Sequence, residues 1–332
     1  MNLKKIRHRL GEIVIHCLNL KVIVSVIDCD QDGYRHGLQI RRGIRRTTED
    51  HEDTASSNHP FITEATRISD GSDVIIKKIK KYSDEKSIAT YLSALKDPRN
   101  HCVQIIDSFP DETEDGIEFL VMPLLRMFNS PSFRSVNEVV DFIKQTLEGI
   151  SFIHSKNVVH RDCSYLNIML DGKPMFPEGF HPIHQIMNRS STTLARYKSR
   201  SNTTGVKYYF IDFGLSTRFD DTDGDRLVPY DPFTAHIYLL GDVYMKNFIE
   251  EYSNVHFLKP LVQSMTRKDP SKRCKADDAL RQLEHIVSQK SKSSMRWRLI
   301  KSNVGGTSHF FLNVSCITRQ GVIAVKRMTG AN

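Results

Sequence analysis

Asp162 and Asn167 lie five residues apart in the run Val159, His160, Arg161, Asp162, Cys163, Ser164, Tyr165, Leu166, Asn167. A carboxylate and a carboxamide at that separation on one loop can share the work of moving a phosphoryl group. The carboxylate accepts the proton of an attacking hydroxyl, and the amide oxygen holds a magnesium ion. Such a transfer is mostly positioning and charge neutralisation, so base and metal ligand must be fixed relative to each other. Asp212 supplies a second metal ligand in the run Phe210, Ile211, Asp212, Phe213, Gly214. Its carboxylate would chelate magnesium bridging the phosphates, with Phe213 packed in the core and Gly214 letting the backbone turn. Lys77 closes the apolar run Val74, Ile75, Ile76, where an ammonium would grip the α- and β-phosphates of ATP. Lys78 takes that role if the register shifts by one residue.

These groups need rigid carriers, and the pattern provides them. Residues 63–68 and 74–79 read as two strands joined at Ser69, Asp70 and Gly71, a hairpin signal. Over 83–95 a helix is predicted from Ile88, Tyr91, Leu92 and Leu95, with Ser83 and Asp84 as caps. Strands over 103–109 and 118–124 follow, separated by an acidic turn. From Val139, the positions Phe142, Ile143, Thr146, Leu147, Ile150 and Ile153 mark one face of a long helix that delivers the Asp162 loop. The remainder to about Ser288 is mostly helical. The fold class expected is α+β, with a small strand-rich lobe over about 60–124 joined near 123–127 to a larger, mainly helical lobe over about 125–290.

Residues 1–59 form an extension that opens on an apolar run and turns polar, the second part reading as linker. The run at 13–29 is interrupted by His16, Asn19 and Lys21 and falls short of a membrane span, so a strand-like segment is expected rather than a signal or anchor. No membrane association is expected. The six cysteines are scattered, without a disulfide framework or zinc spacing, which points to a cytoplasmic or nuclear location. A net charge of +8 comes without any nucleic-acid-binding pattern; its plain reading is a basic surface. Residues 291–332 form a tail with strand-like alternation and no readable motif.

The region from about Pro60 to Ser288 resembles the eukaryotic protein kinase family. Besides the motifs above, Leu261, Val262, Met265, Asp269, Pro270, Arg273, Ala279 and Leu280 resemble the segment that closes the kinase lobe. The run from Met175 to Pro182, with Val206 to Asp212, is similar to a fungal group of kinase-like proteins carrying an insertion before D-F-G. The resemblance implies a two-lobed protein kinase-like fold that binds ATP with Mg2+ and acts on a protein substrate. It also implies that Glu85, on the helix after Lys77, orients that lysine; the alternative is a first-turn residue favoured by the helix dipole. Leu120, Val121 and Met122 resemble the strand entering a kinase hinge, which assigns adenine to Met122, Pro123 and Leu125, with the Pro123 carbonyl and the Leu125 N–H as the hydrogen-bonding pair.

The chain departs from the family in several places. No glycine-rich loop precedes Lys77, and Ser164 stands where serine/threonine kinases carry a lysine. No A-P-E follows Asp220, Asp221, Asp223 and Asp225, so Arg273 is either exposed or paired with another acid. His236 replaces the aspartate that braces the catalytic loop, and a neutral imidazole nitrogen is a substitute acceptor. The insertion at about 172–206 carries Arg189, Arg196, Lys198 and Arg200, with no acid from Gly179 to Ile211. It suits an acidic substrate or accepts phosphate itself; read plainly, it is a solvated loop. The departures keep a pseudokinase or scaffold as the alternative to an active kinase.

Overall fold

A computed structural model of the chain describes residues 62–111, 114–219 and 231–302, together with the backbone of three strands, β1 (Glu12–Cys17), β2 (Leu20–Ser25) and β3 (Leu38–Ile40). β1 and β2 form an antiparallel hairpin on the run from Ile13. The linker, the acidic stretch at 220–230 and the tail aromatics Phe310 and Phe311 lie outside the described residues. By contact the chain divides into two units. The first takes residues up to Leu95, then 102–125 and 176–196, and the second takes 96–101, 126–175 and everything from Tyr197.

The first unit is the strand-rich one. Its sheet runs in the order β3, β4 (Ile62–Arg67), β5 (Asp73–Lys80), β7 (Ile117–Pro123), β6 (Asp107–Pro110), antiparallel throughout. The turn between β4 and β5 closes through Gly71, whose N–H donates to the Arg67 carbonyl at φ +67, a conformation glycine adopts without strain. Alternation along β5 sends Val74 and Ile76 into a core with Ala65, Phe109, Phe119 and Val121. Ile75, Lys77 and Ile79 therefore occupy the opposite face. α1 (Asp84–Ala94) buries Ile88, Ala89 and Leu92.

The strand expected over 103–109 begins only at Asp107. Upstream, the Ile106 N–H still donates to the Val121 carbonyl at 2.8 Å, while the Ile105 N–H goes to the Ser93 hydroxyl at 2.8 Å.

In the second unit, α2 (Val136–Ser155) is the spine. Its apolar face meets an aromatic cluster in which Phe142 stacks on Phe128 at 4.6 Å and meets Tyr208 edge-on at 4.9 Å and Phe248 at 5.5 Å. Around it stand α3 (Pro232–Tyr244), α4 (Lys259–Met265), α5 (Ala276–Ser288) and the short α6 (Lys292–Met295). Three small antiparallel pairings complete the unit. β8 (Arg126–Met127) pairs with β10 (Ile168–Leu170), β10 with β11 (Tyr208–Phe210), and β9 (Val158–Val159) with β12 (Thr217–Arg218). The unit continues past residue 290, because Leu299 donates to the Arg134 carbonyl at 2.9 Å and Val136 to that of Trp297 at 3.0 Å. Among the described residues no helix is long and apolar enough to cross a membrane.

Most of the basic insertion from His184 to Lys198 is exposed to solvent, while Arg200 and Arg189 are tied into the fold. Arg200 is 6% exposed. Its guanidinium donates to the carbonyls of Phe128 at 2.6 Å and Pro131 at 2.5 Å and to the Tyr208 hydroxyl at 3.0 Å, and it lies over the Phe133 ring. In the first unit, Arg189 pairs with the Asp73 carboxylate at 2.5 Å. Gly179 makes room for it: a Cβ there, at φ +74, would sit 2.8 Å from Arg189 Nε.

Candidate active site

The first unit brings together one pair of the expected site residues. The side chains of Lys77 and Glu85 are 16% and 12% exposed, and the Lys77 ammonium donates to Glu85 at 2.5 Å. The pairing follows from the pleat. Lys77 shares a face with Ile75 and Ile79, whereas Lys78 points the other way and pairs with the exposed Glu114 at 2.6 Å. Glu85 is also a first-turn residue of α1.

Met122, Pro123 and Leu125 lie at the end of β7 and just beyond it. Met122 opposes Ile75 and Pro123 opposes Val74 in the ladder. The Leu124 N–H is engaged by the Asp73 carbonyl at 3.1 Å, and the Leu125 carbonyl accepts from the Gln185 amide at 3.2 Å. The insertion therefore reaches the same stretch of backbone through Gln185, and through Arg189 the side chain of Asp73. Neither Gln185 nor Asp73 was readable as a site neighbour, because each partner lies far along the chain.

The second unit holds Asp162, Asn167 and Asp212. The 162–167 loop is suspended between β9 and β10, and Asp212 follows β11. The register is decisive. Ile168 opposes Phe210, so Asn167 and Ile211 are the next residues across, and the Ile211 N–H donates to the Asn167 carbonyl at 3.0 Å. Asn167, 9% exposed, donates its side-chain amide to the Asp162 carboxylate at 2.7 Å and to the Asp162 carbonyl at 3.1 Å. That arrangement turns the amide oxygen away from Asp162. Asp212 is held at φ +63 and its carboxylate accepts from the Gly214 N–H at 3.1 Å. A non-glycine residue in this region is strained and persists only where its surroundings enforce it.

His160 and Phe213 form the packing beneath. His160 is fully buried, donates from Nε2 to the Ile211 carbonyl at 2.9 Å and contacts the Phe213 ring at 4.8 Å. Burial lowers its pKa. Burial also pushes the Cys163 thiol up, so the cysteine beside Asp162 is a packed thiol and not a nucleophile.

Oxygen donors of this kind suit magnesium. Among the described residues no three of His, Cys, Asp or Glu cluster into a metal cage, so a cation held by Asn167 and Asp212 would need oxygens from elsewhere, as phosphates provide.

Two departures are resolved locally. Arg273 meets no carboxylate in its described contacts: it donates to the carbonyls of Arg267 at 2.8 Å and Thr234 at 3.2 Å and lies over the Tyr238 ring at 4.7 Å. His236, fully buried on α3, accepts the Arg161 N–H on Nε2 at 2.6 Å. His154, at the end of α2, contacts His236 at 3.0 Å; no motif marks it.

A family model described as Protein kinase domain matches residues 61–228. Over 124 residues the chain is 27% identical to the "Light-sensor Protein kinase" of Ceratodon purpureus, covering 35% of this chain and 9% of that protein. Over 112 residues it is 25% identical to the "Probable serine/threonine-protein kinase zyg-1" of Caenorhabditis elegans, covering 32% of this chain and 16% of that protein. The match thus spans under a fifth of either relative's length.

Proposed function

This chain belongs to the protein kinase family, and on that premise we propose that it binds ATP with magnesium and transfers the γ-phosphoryl group to a serine or threonine hydroxyl of a protein. The observation that carries the reading is the Asp162–Asn167 side-chain bond at 2.7 Å, one ladder step from Asp212. It supports a base and a metal ligand held in fixed relation.

In this reading Asp162 accepts the proton of the acceptor hydroxyl. Asn167 and Asp212 hold magnesium, which when bound neutralises charge on the phosphates. Lys77, oriented by Glu85, draws on the α- and β-phosphates. The Pro123 carbonyl and the Leu125 N–H meet adenine; proline's missing N–H does no harm where only an acceptor is needed. A kinase-like domain over about 60–290, its likeness to the fungal group, an acidic substrate and a cytoplasmic or nuclear site of action belong to the same proposal. The second reading, a pseudokinase or scaffold, is favoured by Ser164, whose short hydroxyl cannot reach as a lysine does, and by the lack of a glycine-rich loop. Purified protein incubated with radiolabelled ATP, magnesium or manganese and generic protein substrates separates the two. Phosphoserine or phosphothreonine above an enzyme-free control supports transfer, and none under any condition supports the scaffold.

A further inference from the structure

Arg161 immediately precedes Asp162 and sits at φ +66, a conformation that is strained for a non-glycine residue. Its N–H is held by Nε2 of His236 at 2.6 Å. A ring nitrogen accepts a hydrogen bond only when it carries no proton, so His236 must be neutral with its proton on Nδ1. Which nitrogen of an imidazole is protonated is set by the bond the other one makes. Here Nδ1 faces Nε2 of His154 at 3.0 Å, with the ring centroids 5.3 Å apart and the two planes inclined by 25°. His154 must therefore present a lone pair at Nε2.

We propose that His154 is a positioning residue for the transfer loop: by accepting the Nδ1–H of His236 it selects the tautomer in which His236 holds the Arg161 N–H, and with it Asp162. The inference rests on the reading of Asp162 as the base. An aspartate in place of His236 would need no such helper, because a carboxylate accepts in any orientation. The histidine makes the brace depend on a second ring.

The surroundings keep both rings neutral. Around His236 stand His154 from α2, and His160 and Arg161 from the loop, and each opposes a further positive charge; burial is the larger cause and holds its pKa at about 2. His154 meets the Phe233 ring edge-on at 4.9 Å and feels Asp277 of α5, which favours protonation, yet burial holds it at about 4. The relay is thus a constant brace near neutrality, not a switch.

The test uses the whole chain. Nitrogen NMR of the imidazoles at pH 7 is expected to show His236 as the Nδ1–H tautomer. His154→Phe keeps an aromatic ring but removes the acceptor. It is expected to mix the His236 tautomers and to lower kcat on the order of tenfold with KM for ATP unchanged. His154→Gln, whose amide oxygen can accept, is expected to keep both the tautomer and kcat. In the His236→Asp background His154→Phe is expected to have no further effect on kcat. A His236 protonated on Nε2 in the wild type would overturn the proposal. So would a His154→Phe protein, folded by circular dichroism, with unchanged tautomer and kcat. If wild type transfers no phosphate while the tautomers respond as stated, the brace stands and the assigned chemistry fails.

Discussion

Ile211 donates its backbone N–H to the carbonyl of Asn167 at 3.0 Å, one step beyond the ladder pair of Ile168 and Phe210. Through that bond the segment carrying Asp212 is locked to the segment carrying Asn167. The Asn167 side chain in turn binds Asp162. Three groups from two loops are thereby set by one short antiparallel pairing, and each can be perturbed separately.

Asn167→Ala removes both bonds to Asp162 and the proposed metal ligand. Transfer should fall at least 100-fold, since hydrogen bonds to charged groups contribute about 1.5–3 kcal/mol and the metal contact is lost as well. Raising magnesium tenfold should recover only part of the rate. Full recovery would assign Asn167 to metal affinity alone.

Glu85→Gln leaves the Lys77 ammonium without its carboxylate. Measured by steady-state kinetics, kcat/KM for ATP should drop roughly 10- to 100-fold, the equivalent of about 1.5–3 kcal/mol. Lys78→Met, which loses only the pair with the exposed Glu114, should stay within about twofold. An equal loss for both would mean that the β5 register does not decide the role.

Leu125→Pro deletes the N–H proposed to meet adenine. ATP should then raise the melting temperature less than in wild type, in thermal shift assays with magnesium present. An unchanged shift removes Leu125 from the nucleotide contacts.

Stability should fall in acid. His154 and His236 have folded-state pKa values depressed by burial to about 4 and about 2, below the unfolded value of about 6.5. As pH drops through 6.5 the unfolded chain binds protons that the folded one refuses. The stabilisation is complete above that pH and is lost below it, at up to about 1.4 kcal/mol per pH unit for each ring. Urea unfolding at pH 7.5 and 5.5 checks this. A shallower slope is expected for His154→Phe, and an identical slope would show that His154 is not held neutral.

The insertion carries one buried and one exposed arginine, which stability measurements can tell apart. Arg200→Met strands the carbonyls of Phe128 and Pro131 and should cost about 2–4 kcal/mol in denaturant unfolding. Arg196→Ala, on an exposed residue, should change stability by less than about 0.5 kcal/mol.

What was legible in the sequence was local. The Asp162 to Asn167 spacing, the run ending in Asp212, the hairpin at Gly71 and the apolar stripe of α2 each lie within a few residues or turns, where period and turn chemistry dominate. What was not legible depends on partners distant in the chain. Arg189 meets Asp73 across 116 residues, and His154 meets His236 across 82. Arg273 finds carbonyls where a carboxylate was sought, a solution that composition cannot reveal. The Ile105 N–H just upstream of β6 goes to Ser93 of the preceding helix, a partner that a strand pattern does not reveal.

The most direct test of the central claim is a pair of aspartate substitutions assayed side by side for radiolabelled phosphate transfer and for magnesium-dependent ATP stabilisation. Asp162→Asn should abolish transfer while leaving the stabilisation largely intact, because the base acts on the acceptor hydroxyl. Asp212→Asn should lose both, because a carboxylate that neutralises a divalent cation is gone. Transfer by Asp162→Asn equal to that of wild type, above an enzyme-free control and free of contaminating kinase, would contradict the account.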